Sequence, residues 1–242
     1  MICWSCERAG SEDALCGNCG AILPPSASKD YFGVLGLPRR YEVDLRAAEE
    51  RFRGAARQFH PDRFSRADPR ARRASLQRTV QLNEAWRTIG DPVRRAEYLL
   101  GLYGYVIGAE EGAPRPIAPI GNGSGPGSGS ERVAVSAALL GEILELREAL
   151  GEARAADDEG AIVRMADDMR VRIDGGLTRV AEAFAALEGG LDEKTSPRLE
   201  AGGHLQRAAA ELIAIRYFRR FLDEVAVHEE ERAAQGRGAA RG

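Results

Sequence analysis

The apolar residues in the first half of the chain recur every three or four positions, which is the period of an amphipathic helix. The clearest series follows Asp44, a residue type that caps helix N-termini, and consists of Leu45, Ala48, Phe52, Ala55, Ala56 and Phe59. Pro61 predicts the end of this helix, because proline disfavours a helical conformation in the residue before it. The pattern therefore predicts a helix over about 45–59, followed by His60-Pro61-Asp62.

Three further helices are predicted around this one. Asp30 is a suitable N-cap for a short helix that ends at Leu35. A long helix covers about 69–90, and a fourth begins at Asp91-Pro92, because proline is favoured in the first helical turn. We expect the long helix to turn inward Leu76, Val80, Leu82, Ala85, Trp86 and Ile89.

The second half of the chain is also helical in pattern, after a stretch that resembles a linker. Residues 108–130 read GAEEGAPRPIAPIGNGSGPGSGS, a composition typical of flexible connections. Helices are predicted over about 136–151, 157–187 and 205–231, and their short connections favour an antiparallel three-helix bundle. Gly175 and Gly176 weaken the second helix, and the tail 232–242 is predicted to be disordered.

The predicted fold is therefore mainly all-α, with few strands, because alternating apolar and polar residues are rare. It consists of a cysteine-bearing module at 1–25 that has room for a small hairpin, a helical domain at 29–107, the linker, and a bundle at 131–231. The 242 residues are 29% charged and 44% hydrophobic, which indicates a soluble protein of one or two small domains. Because MICWSCERAG has no features of a targeting segment and no membrane span is present, we expect a cytoplasmic protein.

Charge is distributed unevenly along the chain, although the net charge is only -3. Residues 46–78 contain ten arginines and four acidic residues, whereas residues 131–231 contain 22 acidic and 13 basic residues. This asymmetry is compatible with ordinary solvated helix faces and equally with two modules that bind different partners.

The cysteines of the chain form two Cys-x-x-Cys motifs near its start, CWSC and CGNC, made of Cys3, Cys6, Cys16 and Cys19. Two such motifs supply the four sulfurs of a tetrahedral zinc site, and full protein coordination makes that zinc structural. About 25 residues bury little apolar surface, so metal binding would supply the folding energy. Rubredoxin-like iron is the main competitor, while a redox dithiol would leave the second motif unexplained.

The tripeptide His60-Pro61-Asp62 has several possible roles. A general base or a metal ligand is poorly supported, because neither a nucleophile motif nor a second ligand lies nearby, so we expect no enzymatic activity. A histidine packed locally in its loop is a further possibility. The remaining interpretation is a loop that Pro61 stiffens and that presents an imidazole and a carboxylate beside a basic helix face bearing Arg46, Arg53 and Arg57. Such a surface is suited to an acidic partner.

Several stretches together resemble a J-domain, namely DYFGVLGLP, the basic helix, HPD and LNEAWRTIGDPVRRAEYL. The resemblance covers about Asp30 to Tyr105. It implies that His60, Pro61 and Asp62, with weaker contributions from Arg53 and Arg57, engage a seventy-kilodalton heat-shock chaperone of the DnaK or HscA type and stimulate its ATP hydrolysis.

The segments YFGVLGLP, FHPDRF, RRAEYLLGLYG and ILELREALGE are more narrowly similar to the HscB family of iron–sulfur co-chaperones. This resemblance implies that the bundle binds an IscU-type scaffold protein through Leu140, Leu144, Glu145, Glu148 and Tyr217. Gly141 departs from the family, which has a larger apolar residue there. The N-terminal cysteine motifs resemble those of mitochondrial relatives.

Two apolar stripes are present on each of two bundle helices, although one stripe suffices to close a small core. On the first, Leu140 and Leu144 lie about 100° from the stripe Leu139, Ile143, Leu146 and Leu150. On the last, Ile213, Tyr217 and Phe221 accompany Leu205, Ala208, Leu212, Ile215, Leu222 and Val225. The additional stripes belong either to a wide core or to a partner surface. An adaptor for another client and a zinc-dependent nucleic-acid binder remain alternatives to the co-chaperone.

Overall fold

The structure is a computed structural model that describes residues 2–9, 13–26, 28–107, 131–189 and 197–239. The described residues form two compact units, of which the first ends at Gly104. The second combines the strand Tyr105–Ile107 with the residues from Glu131 onward. The predicted linker at 108–130 lies outside the described residues.

The first unit contains the four helices that the sequence predicts. They are α1 (Tyr31–Leu35), α2 (Leu45–Phe59), α3 (Pro69–Gly90) and α4 (Pro92–Leu102), with a short 3₁₀ helix at Pro61–Phe64. Each of the four begins after an aspartate whose carboxylate accepts a backbone N–H of the first turn, and these caps are Asp30, Asp44, Asp68 and Asp91. The starts of these helices are thus fixed by local sequence.

Helix α3 is the centre of this unit, because α1, α2 and α4 all pack against it. Tyr31 of α1 stacks on Tyr98 of α4 with ring centroids 4.7 Å apart, and the Tyr98 hydroxyl accepts the Tyr31 backbone N–H at 3.0 Å. On the other side, Phe52 of α2 stacks on Trp86 of α3. The resulting core leaves the loop between α2 and α3 at the surface of the unit.

The prediction that Leu76 and Val80 face inward is wrong, because their side chains are 56% and 55% exposed. The inward positions of α3 are occupied partly by the buried polar residues Ser75, Gln81 and Thr88. A pattern based on hydrophobicity assigns such positions to the surface, so it shifts the predicted inward face of the helix.

The N-terminal part of the first unit lacks helices in its described residues 2–9 and 13–26. Two antiparallel bridges, Ile2 with Ala9 and Leu15 with Ile22, close two small hairpin-like turns. Two such bridged turns lie in the segment where the sequence left room for one small hairpin, and neither contains a named strand.

The second unit is a three-helix bundle with two short strands. Strands β1 (Tyr105–Ile107) and β2 (Glu131–Val133) pair in parallel, and α5 (Ala137–Ala155), α6 (Glu159–Gly189) and α7 (Pro197–Ala239) follow. Helices α6 and α7 are antiparallel, because Glu159 pairs with Arg232 whereas Arg179 pairs with Glu211. Among the described residues no helix has the length and apolarity needed to cross a membrane.

Helix α7 differs from the prediction at both ends, and it begins at Pro197, eight residues before the predicted start at about Leu205. Helix α7 continues to Ala239, so residues 232–239 are helical and not disordered; Arg232 anchors this end by pairing with Asp157 and Glu159 at the α5–α6 turn. Helix α6 continues through Gly175 and Gly176. A Cβ at Gly176 would lie 3.1 Å from Ile215 of α7, so this glycine permits the close approach of the two helices.

Candidate functional site

The tripeptide His60-Pro61-Asp62 lies at the surface directly after α2. The side chains of His60 and Asp62 are 56% and 90% exposed. Pro61 is the first residue of the 3₁₀ helix, where its missing N–H has no helical partner to lose. The structure thus places the imidazole and the carboxylate together on an exposed and short turn, as the sequence predicts.

Local hydrogen bonds give this turn its shape. His60 Nδ1 accepts the backbone N–H of Asp62 at 3.3 Å, and the His60 carbonyl accepts the Arg63 N–H at 3.0 Å. The Ser65 hydroxyl donates to the Asp62 carbonyl at 2.9 Å. The same His60 Nδ1 lies 3.5 Å from the Asp62 carboxylate, so the backbone and the side chain of Asp62 both face this ring nitrogen.

The residue before the tripeptide is fixed from the side of α3. The buried Ser75 hydroxyl donates to the Phe59 carbonyl at 2.7 Å, and the Thr79 hydroxyl donates to the same oxygen at 3.2 Å. This carbonyl belongs to the last residue of α2, so no N–H group of the same helix is available to it. Two α3 side chains therefore define where the turn leaves the helix.

Arg53 and Arg57 lie four residues apart on α2, and both are exposed beside the turn. Arg53 forms an ion pair with Glu49 at 2.6 Å, which occupies part of its donor capacity. Arg57 lies in the last turn of the helix. Arg46, Arg53 and Arg57 are thus all exposed along α2, and Arg57 is the one in the turn that precedes His60.

The four cysteines come together in the N-terminal module, with all four sulfur atoms within 4.8 Å of one another. Each Cys-x-x-Cys motif forms the same turn, in which Glu7 N donates to the Cys3 carbonyl and, thirteen residues later, Gly20 N donates to the Cys16 carbonyl. Glu7 and Gly20 both have positive φ angles, 57° and 71°, so the two motifs are near copies in conformation.

The geometry of the sulfur atoms fits a tetrahedral metal. Cys3 Sγ lies 3.7 Å from Cys19 Sγ, and Cys6 Sγ lies 3.8 Å from Cys16 Sγ. Four sulfurs at the usual zinc–sulfur distance of about 2.3 Å are about 3.8 Å from one another at the corners of a tetrahedron. The Ser5 backbone N–H donates to Cys3 Sγ at 3.4 Å. The cluster is therefore close enough and suitably shaped to hold one metal ion.

The thiols of this cluster differ in acidity when no metal is bound. The backbone N–H groups of Cys19 and Asn18 lower the pKa of Cys16 to about 6. For Cys6, the Arg8 backbone acts to lower the pKa, but desolvation and the other three thiols together raise it to about 11. Metal binding must therefore displace at least the Cys6 proton at neutral pH.

The bundle residues predicted to contact a scaffold have different environments. Leu140 and Leu144 are 44% and 67% exposed, Glu145 and Glu148 are exposed, and Tyr217 is half-buried. The second stripe on α7 is largely core, because its other members Ile213 and Phe221 are both 4% exposed. The additional stripe on α5 is thus a surface, whereas the one on α7 widens the core.

Two contributions of the N-terminal module were not evident from the sequence. Arg78 of α3 donates to the carbonyls of Asp13, Leu23 and Pro24, and Trp4 Nε1 donates to the Ile22 carbonyl at 2.7 Å. Arg78 carries no distinguishing signal among ten arginines of the basic segment, although Trp4 between the first two cysteines is a recognisable feature.

Comparisons with known proteins agree with this architecture. Residues 135–226 match the model of the HSCB C-terminal oligomerisation domain. The fold is similar to the crystal structure of the human co-chaperone HscB, with a TM-score of 0.71 and 23% identity over 95% of this chain and 98% of that one. It is also similar to the chaperone HscB of Vibrio cholerae, with a TM-score of 0.61 and 26% identity over 84% of this chain and 99% of that one. Residues 135–226 thus match an HSCB C-terminal oligomerisation domain, and the fold of the chain is similar to that of two HscB proteins.

Proposed function

We propose that this protein acts in the cytoplasm as a co-chaperone of iron–sulfur cluster assembly. Its turn at His60-Pro61-Asp62 stimulates the ATPase of a DnaK- or HscA-type chaperone, while its bundle holds an IscU-type scaffold. The observation that carries the proposal is the exposed tripeptide at the end of a basic helix, in the same chain as an HSCB C-terminal domain.

Docking on the chaperone uses groups that are already arranged in the free protein. The His60 ring is held by the Asp62 backbone N–H, and the Asp62 carboxylate lies 3.5 Å from that ring. Arg53 and Arg57 add positive charge for an acidic partner surface. Because the turn is preformed, little conformational entropy is lost on docking. ATP hydrolysis itself takes place in the chaperone.

The scaffold is held by the exposed face of α5. Leu140, Leu144 and Glu148 are spaced by four residues, so they form one stripe on this helix. Arg147 of α5 pairs with Glu224 of α7 at 3.0 Å, and these two helices run in the same direction, since both are antiparallel to α6. Leu140 lies seven residues before Arg147, and Tyr217 lies seven residues before Glu224. Seven residues are about two helical turns, so Leu140 and Tyr217 lie at the same level of the bundle.

The N-terminal module holds one structural zinc ion through Cys3, Cys6, Cys16 and Cys19. Four thiolates leave no open coordination position, which fits a structural role. The metal supplies folding energy to a segment that has only a small buried cluster, Cys3, Cys16 and Leu23.

The chaperone-docking role is tested by the variant His60→Gln. We expect the wild-type chain to raise the single-turnover ATPase rate of a DnaK-type chaperone and His60→Gln to lose this effect, with an unchanged circular dichroism spectrum because the ring is exposed. Retained stimulation by His60→Gln would remove the tripeptide from the mechanism.

The scaffold-binding role is tested by calorimetric titration of the full chain with an IscU-type protein. Micromolar or tighter binding would support the assembly role. Stimulation of the chaperone without scaffold binding would instead identify an adaptor for a different client.

A further inference from the structure

The N-terminal module packs directly against the base of the tripeptide turn. Ile22, which is 2% exposed, lies in one cluster with Phe59, Ala71 and Ala74, and Trp4 and Phe64 border it. Phe59 is the residue immediately before His60, and Phe64 ends the 3₁₀ helix that contains Pro61 and Asp62. The cysteine module therefore shares one apolar cluster with the residues on either side of the tripeptide.

Arg78 connects the same elements through polar contacts. Its guanidinium donates to the carbonyls of Leu23, Pro24 and Asp13 in the module, the last two at 3.0 and 3.1 Å. The same group lies 5.8 Å from the centre of the Phe59 ring, within range of a cation–π interaction. One side chain of α3 thus donates hydrogen bonds to the module and covers the aromatic ring at the end of α2.

The Leu23 segment is in turn held by the cysteine cluster. Leu23 is 1% exposed and packs with Cys3 and Cys16, which are 0% and 2% exposed. The Cys16 N–H donates to the Ala21 carbonyl at 2.8 Å, and Leu23 N donates to the Ala14 carbonyl at 2.9 Å. The position of Ile22 and Leu23 therefore depends on the closed turn that contains Cys16 and Cys19.

Phe59 is thus held by two groups of contacts of different origin. Its carbonyl is fixed by Ser75 and Thr79 of α3, which do not involve the module. Its ring is fixed by Ile22 and by Arg78, and both of these depend on the module. Without the module, the Phe59 carbonyl keeps its hydrogen-bond partners, but the Phe59 ring loses the side chains that cover it.

We propose that the four-cysteine module is a brace for the chaperone-docking turn, with Ile22 and Arg78 as positioning residues that act through Phe59. The inference deepens the proposed function, on which it rests for the chaperone readout. When the brace is lost, His60 and Asp62 remain present but occupy the docking arrangement for a smaller fraction of the time. The apparent affinity for the chaperone falls in proportion to that fraction.

The test compares four forms of the full chain: wild type, Arg78→Gln, the control Arg73→Gln and zinc-stripped wild type. Arg73 is an exposed arginine of the same helix, so its replacement removes the same charge without touching the module. The first readout is amide hydrogen exchange at Asp62, Arg63 and Phe64, with α4 amides as an internal reference. The second is chaperone ATPase stimulation as a function of co-chaperone concentration, and zinc content is measured for each form.

We expect exchange at the turn to accelerate about tenfold in Arg78→Gln and in the stripped chain, with α4 and Arg73→Gln unchanged. The half-stimulating concentration should rise about tenfold while the maximal stimulation is retained, since a turn that is competent one-tenth of the time binds one-tenth as well. Arg78→Gln should still contain one zinc per chain, which separates positioning from metal loss.

Unchanged exchange at the turn in both Arg78→Gln and the stripped chain would overturn the brace. A chain that never stimulates a chaperone would refute the proposed function, while the exchange readout would still decide on the brace. If Arg78→Gln does not fold, Ile22→Ala takes its place with the same expectation, because it shortens an apolar side chain of the cluster that contains Phe59 and removes no hydrogen-bonding group.

Discussion

At the scale of single residues, neighbouring positions on α5 have opposite environments. Ile143 is 6% exposed and lies in the bundle core, whereas Leu144, the next residue, is 67% exposed. Leu144 adds nothing to the core, and together with the exposed Leu140 one turn earlier it forms an apolar surface that suits contact with a partner. The pair Ile143 and Leu144 allows binding and stability to be separated within one turn of helix.

Replacing Leu144 by Ala should weaken scaffold binding about tenfold and leave the unfolding free energy within about 0.5 kcal/mol of wild type, because the side chain is exposed. Replacing Ile143 by Ala should lower the unfolding free energy by about 2–4 kcal/mol through loss of buried contacts. Calorimetric titration and urea denaturation measure the two effects. A large loss of stability in Leu144→Ala would place this residue in the core and remove it from the binding surface.

The zinc affinity of the cysteine cluster should fall as the pH is lowered, because protons compete with the metal for thiolates. The Cys6 pKa of about 11 means that zinc displaces its proton throughout the neutral range. The Cys16 pKa is about 6, so Cys16 is already ionised above pH 6 and takes up a proton below it. The slope of log affinity against pH should therefore steepen by about one proton below pH 6. Chelator competition from pH 5 to 8 measures this slope, and a constant slope would contradict the unequal acidity of the two thiols.

At the scale of secondary-structure elements, the sequence predicts the starts of the helices in the first unit better than their inward faces. The starts of α2 and α4 are determined by a local aspartate and, for α4, by Pro92, so they follow from short stretches of sequence. The inward face of α3 does not, because Ser75 is buried for its hydrogen bond to Phe59, a residue of another helix. The extension of α7 likewise depends on Arg232 pairing with the distant α5–α6 turn.

In the functional site, too, some features follow from local sequence and others depend on distant residues. The cysteine cluster and the exposed tripeptide follow from motifs whose residues are close in sequence, and the structure brings each together as expected. The contact between the module and Phe59 joins residues more than thirty positions apart, such as Ile22 and Phe59. Periodicity within one segment carries no information about such packing between segments.

The two adjacent glycines of α6 should respond differently to alanine. Gly175→Ala should stabilise the bundle by about 1 kcal/mol, because alanine is the better helix former and its Cβ meets only the flexible end of Arg179. Gly176→Ala brings a Cβ to within 3.1 Å of Ile215, so the α6–α7 packing must open and the gain is lost. Thermal denaturation of both variants measures the difference, which we expect to be about 1 kcal/mol or more. Equal stabilisation would show that Ile215 moves freely and that Gly176 is not required for close packing.

At the scale of the whole molecule, the two units differ in the kind of surface that each offers. The first carries the basic segment 46–78, with Arg53 and Arg57 beside the tripeptide. Several arginines of this segment are nevertheless engaged internally, including Arg51 with the Gly36 carbonyl and Arg78 with the module. These bonds to neutral carbonyls keep the charge of each guanidinium but occupy N–H donors that would otherwise be available to a polyanion such as nucleic acid. The second unit offers the apolar pair Leu140 and Leu144.

Raising the salt concentration from 50 to 300 mM should therefore weaken chaperone coupling more than scaffold binding. The Debye length falls from about 14 Å to about 6 Å over this range, which screens the attraction between exposed charges, whereas burial of leucine is little affected. We expect the half-stimulating concentration for the chaperone to rise about tenfold and the scaffold dissociation constant to change less than about threefold. Arg57→Gln should reduce the salt dependence of stimulation and leave that of scaffold binding unchanged. A parallel titration with a DNA duplex tests the remaining alternative: tight binding that decreases steeply with salt would assign the basic segment to nucleic acid, because release of counterions dominates such complexes.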